Sequence, residues 1–260
     1  MAFDWGFFWR YLLEPSTVYL HGLWLTLCLS VISQGLGTLI GLFAALGRLS
    51  RFRGLQAVVR FYVWVMRGTP LLVQIVFIYT GLAAGNIFRF EDINLGIVVI
   101  PGNIQAAIVA LSLNEGAYMS EIIRAGIASV DIGQTEAARS LGMTYGKLMR
   151  RIILPQAARV IIPPLGNDFN GMLKNTTLVS VIGVPELLLA TEMVTSATFR
   201  VFELYLVVAL YFLTLTTAWG VVQQWIERRY GEPAEREARG NGLVAGGLQR
   251  LRAYRLQRDR

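Results

Sequence analysis

The feature that most constrains this chain is a set of long, nearly uninterrupted apolar stretches. They lie near Tyr19–Leu46, Val58–Ala84, Ile104–Ile123, Pro155–Val179 and Phe202–Ile226. A helix needs roughly 20 mostly apolar residues to cross the hydrocarbon core of a bilayer, and each stretch meets that length. The stretches are apolar all round rather than on one face, which a soluble core helix does not require. Composition agrees: of 260 residues, 54% are hydrophobic and only 16% charged, and the mean hydropathy is +0.50. The sequence predicts an all-α integral membrane protein with five transmembrane helices.

The formal charge of +7 and pI near 9.8 do not point to nucleic acid. The basic residues flank the apolar stretches, where cytoplasmic Lys and Arg orient membrane helices. Arg48, Arg51, Arg53 and Arg60 follow the first stretch, and Arg124, Arg139, Lys147, Arg150, Arg151 and Arg159 surround the loop after the third. Arg228 and Arg229 follow the fifth. The intervening segments are poor in cations: Arg10 faces Asp4 and Glu14, and Arg89 faces Glu91 and Asp92. The alternation places the N-terminus outside and the C-terminus in the cytoplasm of a multi-pass protein. Residues 1–18 form an aromatic-rich periplasmic or interfacial segment without the basic region of a secretory signal. Residues 230–260 form a basic cytoplasmic tail. Cys28 and His21 each stand alone, so neither a disulfide nor a metal site is expected.

The loop after the third stretch is too long and too helix-friendly for a turn. It reads as a helical piece over Gln134–Leu141, a break at Gly142, and a second piece over Tyr145–Ile153 entering the next span. Ala137, Ala138 and Leu141 share one face at helical spacing, with Glu136 and Arg139 elsewhere. Such an external helix suits docking into a groove of another protein, or lying on the bilayer surface.

Glu136-Ala137-Ala138, Gly142 and Ile152-x-Leu154-Pro155 resemble the EAA loop of ABC importer permeases at the family's spacing. Further strings resemble its polar amino acid branch: Ser112–Tyr118, Glu121–Ile127, Gly133–Glu136, Leu154–Ala157, Lys174–Leu178 and Arg67–Leu72. The resemblance runs over roughly Leu20 to Arg229, and the basic tail departs from it. It implies the type I importer permease fold (MetI-like) over residues 19–229, with the EAA loop at 133–155 serving as a cytoplasmic coupling helix. It further implies an amino acid substrate, a separate ABC ATPase, a second permease subunit in a dimer, a periplasmic solute-binding protein and a bacterial inner membrane. Glu136 would contact the ATPase, Ala137 and Ala138 would allow close approach, and Leu141 and Gly142 would complete the docking turn. The chain has no G-x-x-x-x-G-K-[ST] phosphate loop. No cofactor is therefore expected in this chain, with ATP and magnesium bound by the partner, and no catalysis of its own.

Ionisable residues inside membrane spans are costly and mark functional positions. Asn114, Glu115, Glu121 and Asp168 are candidates for the substrate path, with Thr69 as a hydroxyl partner. A free amino acid needs acceptors for its ammonium group and donors for its carboxylate. The same residues could instead pair between packed helices, Glu121 with Arg124 and Asp168 with Lys174. The Pro163-Pro164 pair should interrupt the hydrogen-bond ladder of its span, and Gly37-x-x-x-Gly41 fits close helix packing. A permease of this architecture for another solute remains the alternative, and a stand-alone channel or secondary transporter lacks the need for an external docking helix.

Overall fold

The computed structural model describes residues 3–96 and 99–230; the basic tail expected beyond them lies outside the described residues. The described chain is helical apart from one short antiparallel hairpin, β1 (Ile93–Asn94) with β2 (Val99–Ile100). The helices are α1 (Trp5–Leu13), α2 (Thr17–Leu49), α3 (Arg53–Gly68), α4 (Leu71–Ala84), α5 (Gly102–Ala128), α6 (Ile132–Ser140), α7 (Tyr145–Ile182), α8 (Leu187–Thr198) and α9 (Val201–Tyr230). Single π-helical turns interrupt α4 at Phe77–Gly81 and α7 at Met149–Ile153, and α7 ends in a 3-10 stretch from Thr176 to Ile182.

Helices α2 and α9 are each long and apolar enough to cross a membrane. The pairs α3–α4 and α7–α8 qualify as bent spans, with angles of 110° and 51° at their breaks. The second apolar stretch is therefore not one straight helix. Pro70 lacks a donor and forces its predecessor out of the helical region, and Thr69 is extended at φ −119° and ψ 147°. The fourth stretch continues past Val179 to Ile182, turns at Gly183 (φ +76°) and resumes as α8. Within α7, the Pro163-Pro164 pair removes two ladder donors, yet the α-helix runs unbroken from Leu154 to Asn175.

Packing fixes the relative directions. Gly37 and Gly41 of α2 meet Glu115–Gly116 and Met119–Ser120 of α5 in the same order, so α2 and α5 run parallel in close contact. A Cβ at Gly37 would sit 2.6 Å from the Glu115 side chain. The small-residue pair thus brings two helices of one chain together. Two parallel helices joined through α3 and α4 require the connection to return the chain, and it does: Tyr62 bonds Leu113 while Ile75 and Ile78 pack on Ala106, Ala107 and Ala110. Helix α7 runs against α5, with Ile161 beside Gly126 and Met172 in the cluster with Ala107 and Leu111. Helix α9 runs against α7, with Gln223 bonded to the Pro163 carbonyl (2.9 Å) and Trp219 to that of Gly166 (2.7 Å).

Helix α5 is the centre of this bundle. It is 27 residues long and buries Ser112, Asn114, Glu115 and Ser120 among its alanines. Its neighbours carry the exposed apolar residues instead, among them Phe43 on α2 and Phe61 and Trp64 on α3. The polar residues of α5 are thereby held inside a sheath of apolar helices.

Candidate functional site

The external segment begins where α5 stops. Asp131 caps α6, its Oδ1 accepting from Gly133 N at 2.6 Å. The helix closes with Gly142 N donating to Arg139 O (2.9 Å) and Met143 N to Ala138 O (3.1 Å). This paired closure needs a left-handed residue, which glycine adopts without a Cβ penalty; Gly142 sits at φ +73°. Ala138 is 2% exposed and packs with Leu148 and Ile153, against Ile127, Val130 and Met143. A small satellite core therefore ties α6 to the end of α5 and the start of α7. Glu136 and Ala137 are exposed on the other side, as are Leu141 (83%), Ile132 and Tyr145. The expected alanine face is thus divided: Ala138 serves the chain's own packing, whereas Ala137 and Leu141 stay free.

The intramembrane candidates fall into three environments rather than one. Asn114 and Thr69 belong to a network that holds the α3–α4 bend. Gln74 Nε2 donates to Met66 O (2.8 Å), Thr69 O (3.1 Å) and Thr69 Oγ1 (2.7 Å). Asn114 Nδ2 donates to Gln74 Oε1 (2.9 Å) and Met66 O (3.1 Å). These bonds supply partners for carbonyls that the end of α3 leaves open.

Glu121 is an ionic hub near the α6 end of the bundle. It pairs with Arg48 of α2 and with Arg124 of its own helix at 3.0 Å, and Arg67 of α3 lies 3.9 Å away. Arg67 also lies 5.3 Å from the centroid of the Tyr118 ring. One carboxylate thus joins the ends of α2, α3 and α5.

Glu115 and Asp168 form the third environment. Glu115 is 6% exposed and accepts from Gln34 Nε2 of α2 at 2.9 Å. Asp168 lies on α7, which packs against α5, and its buried Oδ2 has no hydrogen-bond partner among the described residues. The Asp168–Lys174 pairing is not among the ion pairs of the described residues. Gln34, Gln74 and Arg48 were not among the sequence candidates. Gln34 and Gln74 were detectable as amides within apolar stretches, but Arg48 reads as an ordinary flanking charge.

At the opposite end, a cavity of about 1150 Å³ opens between α4 and the hairpin loop, lined by Tyr79, Thr80, Arg89, Glu91 and Asn103 among others. It touches none of the intramembrane candidates.

Residues 37–232 match the family described as binding-protein-dependent transport system inner membrane component. The chain is 36% identical over 253 residues to an arginine transport system permease protein of Corynebacterium glutamicum, covering 94% of this chain and 77% of that protein. It is 37% identical over 218 residues to a probable glutamine ABC transporter permease of Bacillus subtilis, covering 84% and 95%. A crystal structure of an amino acid ABC transporter with histidines superposes with a TM-score of 0.77 at 40% identity, covering 88% of this chain and all (100%) of that one. An inward-facing methionine ABC transporter shares the fold, with a TM-score of 0.66 at 18% identity over 84% of this chain and 99% of the other.

Proposed function

This chain belongs to the binding-protein-dependent transport system inner membrane component family, and from that premise we propose that it carries polar amino acids across the bacterial inner membrane. It is a permease subunit of an ABC transporter and is not itself the catalytic component. Five crossings account for the packing directions: α2, α5 and α9 descend while α3–α4 and α7–α8 rise. The clustering of arginines near the α6 end supports a cytoplasmic position for that end, with the N-terminus outside and the C-terminus inside.

The observation that carries the mechanism is the capped, exposed helix α6, held by Ala138, Leu148 and Ile153 to the ends of α5 and α7. A force applied to α6 is transmitted directly to the helices that bear Glu115, Glu121 and Asp168. Glu136, Ala137, Leu141 and the Gly142 turn form the face that docks on a separate ATPase, which binds ATP and magnesium. Closure of two ATPases would shift two permease subunits between inward and outward openings, with a periplasmic binding protein delivering the amino acid. Glu115 and Asp168 line the path. Asn114 and Thr69 hold the α3–α4 bend beside it, and Glu121 pins the cytoplasmic ends of three helices.

Uptake of labelled amino acids by vesicles containing this chain, its ATPase and its binding protein tests the reading. ATP-dependent uptake of at least one polar amino acid is expected. Uptake of a different solute class alone, or uptake that continues without ATP, would overturn it.

A further inference from the structure

Neither the path nor the exposed face of α6 makes use of the Pro163-Pro164 pair. Both prolines lie inside the α-helical run Leu154–Asn175 of α7. Their ring nitrogens carry no hydrogen, so the carbonyls of Arg159 and Val160 lose their ladder donors, and each ring crowds the turn before it. Alanine at both positions would complete the ladder and favour the helix. The helix persists all the same, and α9 meets it at this point.

Two side chains of α9 donate to the weakened segment. Buried Gln223 gives its Nε2 to Pro163 O at 2.9 Å and to Glu227 Oε1 at 2.8 Å. Both amide hydrogens are thereby used, and Glu227 fixes the orientation of the group. Trp219 Nε1 donates to Gly166 O at 2.7 Å, and its ring centroid lies 4.4 Å from that of Phe169. A Cβ at Gly166 would overlap Gln223 Oε1, so a glycine there lets the two helices approach. Proline and a side chain inserted at the ladder are both causes of helix bending, and here they fall within one turn of each other.

The two halves of α7 are held by different bodies. On the α6 side, Leu148 and Ile153 belong to the satellite core around Ala138. On the other side, Met172, Val179 and Ile182 belong to the core cluster of α5 and α4. Pro164 and Asn167 between them are exposed in the single chain. A helix fixed at both ends and weakened in the middle bends in the middle. Resting on the reading of this chain as an ABC permease, we propose that Trp219 and Gln223 are positioning residues for transport. They hold a hinge in α7 between Arg159 and Gly166, about which the α6 half swings while the outer half stays packed. Their bonds to the Gly166 and Pro163 carbonyls fix one hinge angle, and the angle changes when those bonds break.

The test uses proteoliposomes of the permease, its ATPase and its binding protein, with amino acid uptake and ATP hydrolysis measured on one sample. The thermal midpoint is measured on the detergent-solubilised complex. Pro163→Ala with Pro164→Ala should leave the midpoint unchanged or raised, because two ladder donors return, and yet lower uptake per ATP hydrolysed. Trp219→Phe keeps a ring against Phe169 and removes the N–H, and Gln223→Leu removes the amide. Loss of one hydrogen bond shifts an equilibrium by about 2–10-fold, and uptake per ATP should fall within that range in each. A side chain needed only for stability lowers the midpoint and both activities together, without changing their ratio. A second measurement serves if a variant fails to assemble. Spin labels at Gln156→Cys and Lys174→Cys, in a Cys28→Ala chain diluted into unlabelled chain, stand about 27 Å apart along a straight helix. Their distance should change between the nucleotide-free and ATP-bound complexes.

An unchanged label distance overturns the hinge, as does a double alanine chain with the uptake per ATP of wild type. A wild-type ratio in both Trp219→Phe and Gln223→Leu overturns the positioning role. Failure of the wild-type complex to take up any polar amino acid overturns the permease reading instead, because the label distance is read without substrate.

Discussion

At the scale of single residues, the α2–α5 contact is set by the absence of side chains. A Cβ at Gly41 would collide with Met119, approach Ser120 N to 2.9 Å and meet Gly116 O at 3.0 Å. Two of those three atoms are backbone, so a larger residue separates the helices rather than displacing a flexible side-chain tip. Overpacking of this kind costs about 1–3 kcal/mol. Gly41→Val should lower the thermal midpoint of the detergent-solubilised protein, measured by loss of monodispersity on heating. Gly35, six residues earlier on the same helix, has nothing within 4 Å of its Cβ position. Gly35→Ala should leave the midpoint unchanged or raise it slightly, because alanine is the better helix former. Equal effects of the two substitutions would remove the close packing from the explanation.

At the scale of elements, α6 shows how a short external helix is fixed to the bundle by a cap, a closure and one buried alanine. Its cap at Asp131, its closure at Gly142 and its anchor at Ala138 hold the helix while Glu136, Ala137 and Leu141 stay exposed among the described residues. Burying a leucine side chain contributes about 1.5–3 kcal/mol. Leu141→Asp should therefore weaken copurification of the ATPase by about tenfold or more in concentration dependence, while the permease still reaches the membrane at normal yield. Retained copurification would move the docking surface elsewhere.

Much of this element was readable beforehand. The break at Gly142 and the helical piece before it follow from local sequence, because capping and closure act over a few residues. The bend between α3 and α4 was only half readable. Pro70 announces a discontinuity, but its 110° angle depends on Gln74 and Asn114, and Asn114 joins from another helix. The same limit applies to the membrane candidates. Glu121 is a path candidate because it is ionisable within an apolar stretch, yet its partner Arg48 is 73 positions away in the chain. Periodicity identifies which side of a helix a residue occupies, but not which helix packs there.

At the scale of the whole molecule, the parallel pairing of α2 with α5 and the antiparallel pairing of α7 with both α5 and α9 are those expected of the alternating path proposed through the membrane. Contacts alone leave its absolute direction open, since the bundle could be inverted as a body. Arginines supply the expectation: Arg48 and Arg124 lie at the α6 end, bound to Glu121, and retention of Lys and Arg on the cytoplasmic side predicts that this end faces the cytoplasm. Cys28 is the one cysteine in the sequence, which allows a direct check in a Cys28→Ala background. Ser140→Cys at the end of α6 and Asn94→Cys in the hairpin both place the thiol at exposed positions, on opposite ends of the bundle. Expressed without the ATPase, Ser140→Cys should react with a membrane-impermeant maleimide only in inverted vesicles. Asn94→Cys should react only in intact cells or right-side-out vesicles. Labelling of both from the same side would contradict the number of crossings, because positions 94 and 140 would then be separated by an even number of spans. Reversal of both would preserve the bundle and its packing but place α6 outside, where no ATPase could drive it.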